Sequence, residues 1–219
     1  MLLRAAGGYT CVFLSVVLMT FPRQTAAQTR ASADLVVRTY NSTGVPATLI
    51  EEAQRVATLL LDDAGIGATW RRCRTKDGPM ATSTDGCDDL LRPSDLAVRI
   101  VRAPKTILDP EVLGYSHVDS RLRKGFLATI FPDRVHAMAP RLQVNEGQLF
   151  GRVLAHEIGH LLLGTLTHSP TGLMRGHWFM SEPTDVWTFS PVESARMRDS
   201  LADLASDGVV AMARARTAP

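Results

Sequence analysis

The stretch 153–174, VLAHEIGHLLLGTLTHSPTGLM, constrains this chain more than any other, because it sets His156-Glu157-Ile158-Gly159-His160 inside an apolar run. The filling around the motif, Val153, Leu154, Ile158, Leu161, Leu162 and Leu163, predicts a buried helix. Residues four apart share one helix face, so His156 and His160 offer two imidazoles to a single cation. Glu157 is turned about 100° from His156. It can therefore lean over a metal without ligating it and act as general base to a water. The plainer reading is a core helix whose histidines are satisfied by hydrogen bonds. Burial and metal binding are compatible, however, because a dry site suits the chemistry. The pattern is the outline of a catalytic zinc site, in which a third ligand comes from elsewhere and one position stays open.

Gly164 is placed to end this helix in a left-handed turn, after which the chain doubles back and brings His168 towards the same ion. With Gly172-Leu173-Met174 following, the run resembles the metzincin clan of zinc metallopeptidases. Its pattern H-E-x-x-H-x-x-G-x-x-H, with a methionine turn beneath the metal, is matched by His156, Glu157, His160, Gly164, His168 and Met174. Gly164 falls one residue later than in that pattern and His168 two, which a helix running to Gly164 and a wider turn absorb. His177, three residues past Met174 and next to Trp178, is the alternative third ligand. A tyrosine that assists some metzincins just after the methionine turn has no counterpart in Arg175-Gly176-His177-Trp178. Oxyanion support then falls to zinc, backbone or His177.

The resemblance implies an α+β fold: a metzincin-like single catalytic domain with a mixed twisted β-sheet, a backing helix, a zinc-site helix and a C-terminal helix. It also implies a zinc metalloendopeptidase acting on peptide or protein substrates. Zn2+ is the cofactor, His156, His160 and His168 its ligands, and Glu157 the general base. The motif specifies the nucleophile and is silent about the acyl group, so a zinc hydrolase of a non-peptide amide is one alternative. A non-catalytic binding module is another. Glu157 argues against it, since a structural zinc site has four protein ligands and no need of a base.

Met1 to Phe21 reads as a secretory signal, with Arg4 ahead of the apolar CVFLSVVLMTF and the small residues Thr25-Ala26-Ala27 before Gln28. Residues 1–27 are therefore expected to be cleaved, giving a secreted or periplasmic protein; an uncleaved anchor is the alternative. Residues 28–219 then form one metallopeptidase domain, since about 190 residues suffice for one well-buried core and not for two. The leader removes Cys11 and leaves Cys73 and Cys87, a single pair for an oxidising compartment. A disulfide is the economical reading, because the polar loop between them lacks the Cys-x-x-Cys spacing of zinc ligands. The span Gln28 to Ala33 has no cysteine to block a metal. The net charge is only +2, and the basic residues are scattered without interleaved aromatics, which excludes a nucleic-acid platform. No later stretch is apolar and long enough to span a bilayer.

Alternation predicts strands at Asp34–Tyr40, Ala68–Arg72, Asp95–Val101, Val112–Val118 and Phe126–Phe131, the last two antiparallel about the polar Arg121–Lys124 turn. Apolar spacing predicts a helix over Pro46–Ala64, stopped by Gly65. The metzincin resemblance makes Val112–Val118 the edge strand along the cleft, able to take an extended peptide as an added strand. His117 and His136 read as strand-end or surface residues. A last helix, Pro191–Ala205, opens with Ser190, Pro191 and Glu193 as a capping box. That gives Glu193 a structural task in place of a metal-binding one. The tail beyond Asp207-Gly208 is expected to fray.

Overall fold

The computed structural model describes residues 35–73, 86–178 and 187–217, with side chains as far as residue 207. The expected leader, 1–27, and most of the loop between the cysteines lie outside the described residues. Five strands follow from the β-branched and aromatic runs: β1 Leu35–Asn41, β2 Ala68–Cys73, β3 Asp95–Ile100, β4 Gly114–Asp119 and β5 Lys124–Ile130. They form one mixed sheet in the order β2-β1-β3-β5-β4, with β4 alone antiparallel and at the edge. The edge position expected for the fourth strand is thus observed.

Among the described residues four helices accompany the sheet: α1 Ala47–Asp63, α2 Pro132–Met138, α3 Glu146–Leu163 and α4 Pro191–Thr217. Alternate residues of the strands, Leu35, Val37, Leu96, Val98, Ile100, Ala128 and Ile130, form one buried cluster with Ile50, Ala53, Ala57 and Leu61 of α1 and Leu149, Phe150, Val153, Leu154 and Ile158 of α3. No described helix is long and apolar enough to cross a membrane.

Helix α3 is buried along most of its length, and small residues let it approach its neighbours. A Cβ on Gly151 would stand 2.5 Å from Val56 Cβ and 2.6 Å from the Ala53 carbonyl, so its absence lets α1 lie against α3. Asn145 caps the start of α3 by accepting from the amides of Gly147 and Gln148. Gly164 ends it at φ 61°, where its amide reaches back to the His160 carbonyl.

The structure departs from expectation in two elements. Helix α2 lies where no helix is predicted, so His136 is an exposed helical residue paired with Glu146 at 2.8 Å and not a strand-end one. Pro132 opens this helix at its first position, where a missing amide is no loss. Helix α4 runs on past Ala205 to Thr217. Its start is as expected: the Ser190 amide donates to Glu193 Oε2 at 2.8 Å and the Glu193 amide to Ser190 Oγ at 3.3 Å.

Cys73 and Cys87 are joined, tying the end of β2 to the segment leading into β3. The opposite face of β1 explains what the tie secures. There the buried Arg38 donates to the carbonyls of Cys87, Asp89 and Leu90 and forms a 2.9 Å ion pair with buried Asp95. A charge in that position is tolerated because it is paired and hydrogen-bonded.

Candidate metal centre and cleft

On α3, His156 and His160 project their rings to one side one turn apart, and the chain after Gly164 returns His168 to them. The three form a group of potential ligands with one ligand atom of each lying within 4.8 Å of the others. His160 Nε2 is 3.0 Å from His156 Nε2 and 3.3 Å from His168 Nε2. His156 Nδ1 lies 2.8 Å from the Leu173 carbonyl and His160 Nδ1 2.8 Å from the Thr165 carbonyl. A carbonyl only accepts, so both rings carry their proton on Nδ1 and aim the Nε2 lone pair inward.

Converging lone pairs repel unless a cation lies among them. Tetrahedral zinc with Zn–N of about 2.0–2.1 Å sets its nitrogens about 3.3 Å apart, so the donor set fits that ion. The ordinary imidazole pKa is displaced in the same sense. Burial, then the neighbouring His160, pushes His156 down to about 3, and burial lowers His160 to about 4. His168 is also lowered, by burial and then by His177. The rings are therefore neutral at physiological pH, as ligands must be.

The surroundings hold the histidine rings in place. Trp178 meets His156 edge-on at 5.5 Å and stacks on Trp187 at 5.2 Å. Met174 is buried below α3, where a Cβ on Gly159 would come within 2.5 Å of its Sδ. Its carbonyl accepts from the Ser169 amide at 2.8 Å, and the Leu173 amide donates to Thr188 at 2.8 Å. The loop carrying His168 is thereby tied to the methionine segment. Ser169 Oγ also donates to Glu193 Oε1, so Glu193 is engaged by the cap of α4 and this loop.

Glu157 is 5 % exposed and lines the same cleft as His156 and His168. Burial raises its carboxyl from 4.5 to about 7, against the lowering effect of a hydrogen bond from Ser116. A cation among the imidazoles acts the other way and favours the carboxylate. The cleft encloses about 400 Å³, with Val112, Leu113, Met138, Leu142, Val153 and Trp178 as apolar walls. His177 stands at its rim, exposed and 3.4 Å from Glu111, outside the three-histidine group. His117 is an exposed residue of β4 at a break in the ladder.

Sequence reasoning missed two contributors. Ser116, on β4, donates to Glu157 at 2.7 Å. Arg134, on α2, donates to the carbonyls of Ile107, Asp109 and Val112 and so fixes the loop that forms one cleft wall. Both act across long sequence separations and carry no local pattern.

The fold is zinc metallopeptidase-like. It is similar to the crystal structure of archaemetzincin from Methanopyrus kandleri, with a TM-score of 0.51 and 15% identity, covering 79% of this chain and 98% of that one. It is also similar to metalloproteinase-II from Bacteroides fragilis, with a TM-score of 0.50 and 15% identity over 78% of this chain; the chain spans 54% of that structure. No protein-family pattern and no curated protein sequence matches it.

Proposed function

We propose that the chain is an exported zinc metalloendopeptidase that hydrolyses peptide bonds, with His156, His160 and His168 as metal ligands and Glu157 as general base. The observation that carries this is the convergence of two buried imidazole lone pairs and a third imidazole beside a buried carboxylate, in one cleft. Zinc held by these ligands would supply a water acidified to a pKa of about 7 and a Lewis acid for a carbonyl oxygen. Glu157 would accept a proton from the attacking water and hand it to the leaving amine. The carbonyls of Leu173 and Thr165 keep the two helical ligands in the required tautomer. Among the described residues β4 is the outermost strand on its side of the sheet, where an extended substrate can add as a further strand. Export is supported by the Cys73–Cys87 bridge, which persists in oxidising compartments.

The test is cleavage of a mixed peptide library by zinc-loaded protein and by Glu157→Gln. The proposal expects cleavage by the parent and none by the variant at equal zinc content. Equal cleavage by both, or none by the parent, overturns it.

A further inference from the structure

A general base works when one oxygen faces the reacting water at fixed geometry. Glutamate is poorly suited to this unaided, because its side chain turns about three bonds. Strand β4 provides the constraint.

Gly114 and Ser116 are two apart on β4 and so face the same way. Ser116 is buried, and its hydroxyl lies 2.7 Å from Glu157 Oε2 and 2.8 Å from the backbone carbonyl of the same residue. The single proton of this hydroxyl is shared between the side chain and main chain of Glu157, which ties Oε2 to the strand. Gly114 acts on the other oxygen. A Cβ there would stand 2.8 Å from the Thr129 carbonyl, which it would displace, and 3.1 Å from Glu157 Oε1, which it would crowd, so glycine gives Oε1 its room. Gly114 lines the cleft with Glu157, whereas Ser116 does not. Of the two carboxylate oxygens, Oε1 thus lies beside a residue of the cleft lining and Oε2 beside a residue outside it.

We infer that Gly114 and Ser116 form a cradle on the edge strand that positions the Glu157 carboxylate, Ser116 holding Oε2 and Gly114 leaving Oε1 free to work. Ser116 is a positioning residue and touches no substrate. Its catalytic consequence rests on the proposed peptidase reading; the bond itself does not.

The experiment has two arms. In zinc-loaded protein, Ser116→Ala should lower kcat about 10–100-fold, the usual effect of losing a group that orients an active-site residue. KM should stay within about twofold, since ground-state binding is untouched. Zinc content should equal the parent's, and Ser116→Thr, which keeps the hydroxyl, should restore most of the rate. In metal-free protein, Ser116→Ala and Glu157→Ala should combine non-additively in the urea midpoint, the sign of direct contact. Unchanged kcat in Ser116→Ala, or no rescue by threonine, overturns the catalytic role, and additive midpoints overturn the cradle. A parent that cleaves nothing, alongside non-additive midpoints, supports the cradle and overturns the function.

Discussion

His160 shows how a single side chain reconciles the displaced spacing with a converging three-histidine group. Its Nδ1 uses the carbonyl of Thr165, a residue of the widened turn, so the extra residues before His168 give His160 its orienting partner. His156, Glu157 and His160 were legible because their relation is set by the pitch of one helix. His168 was legible from chain order plus the left-handed Gly164, and the carbonyls that orient the rings were not, since only tertiary packing brings them there. Ser116 lies 41 residues from Glu157, and no local period reports that register. Glu193 was read correctly as a cap from its spacing to Ser190. Glu193→Ala should therefore retain stoichiometric zinc while losing about 1 kcal/mol of stability, the usual worth of a cap. Urea unfolding and metal analysis of one sample check both halves.

Among elements, α3 has most to lose from substitution, because it meets α1, the sheet and the methionine segment at once. Gly151→Ala places a methyl group against Val56 and the Ala53 carbonyl and should cost about 1–3 kcal/mol as overpacking. At the exposed Gln148, alanine should change stability by no more than about 0.5 kcal/mol. Equal effects in urea titrations would refute the close α1–α3 packing. The bridge from β2 makes a second prediction: once the expected leader with Cys11 is removed, the oxidised protein should be two hydrogens lighter than the reduced form and should take up no thiol label without reductant. Replacing both cysteines should lower stability by about 2–5 kcal/mol and leave zinc bound, because the bridge secures the Arg38 side of the sheet. Strands and α1 were readable from alternation and helical spacing. Helix α2 escaped because seven residues show too little periodicity and Pro132 reads first as a breaker. The extent of α4 escaped because Gly208 resembles a stop signal, yet the helix continues through it.

For the molecule as a whole, the metal-free protein should have a pH dependence with two opposed parts. His156 and His160 have folded pKa values of about 3 and about 4, below the ordinary 6.5, so the unfolded chain binds their protons first. Their contribution is full above about pH 6.5 and is lost as pH falls through the folded values. Glu157, raised to about 7 from 4.5, acts in reverse: its contribution is full below about 4.5 and is lost as pH rises through 7. Two histidines outweigh one carboxyl between these limits, so stability should decline on acidification below about pH 6.5. Glu157→Gln should steepen the decline, and thermal unfolding across that range decides it. The edge place of β4 was expected from the resemblance and its antiparallel pairing with β5 from the polar turn between them, whereas the order of the other strands was not expected, because alternation cannot rank strands in a sheet. The most direct test of the whole account is zinc stoichiometry, by elemental analysis after dialysis, in the parent, His168→Ala and His177→Ala. The account predicts one zinc per chain in the parent and in His177→Ala, and a sharp loss in His168→Ala. Zinc retained by His168→Ala but lost from His177→Ala would contradict it.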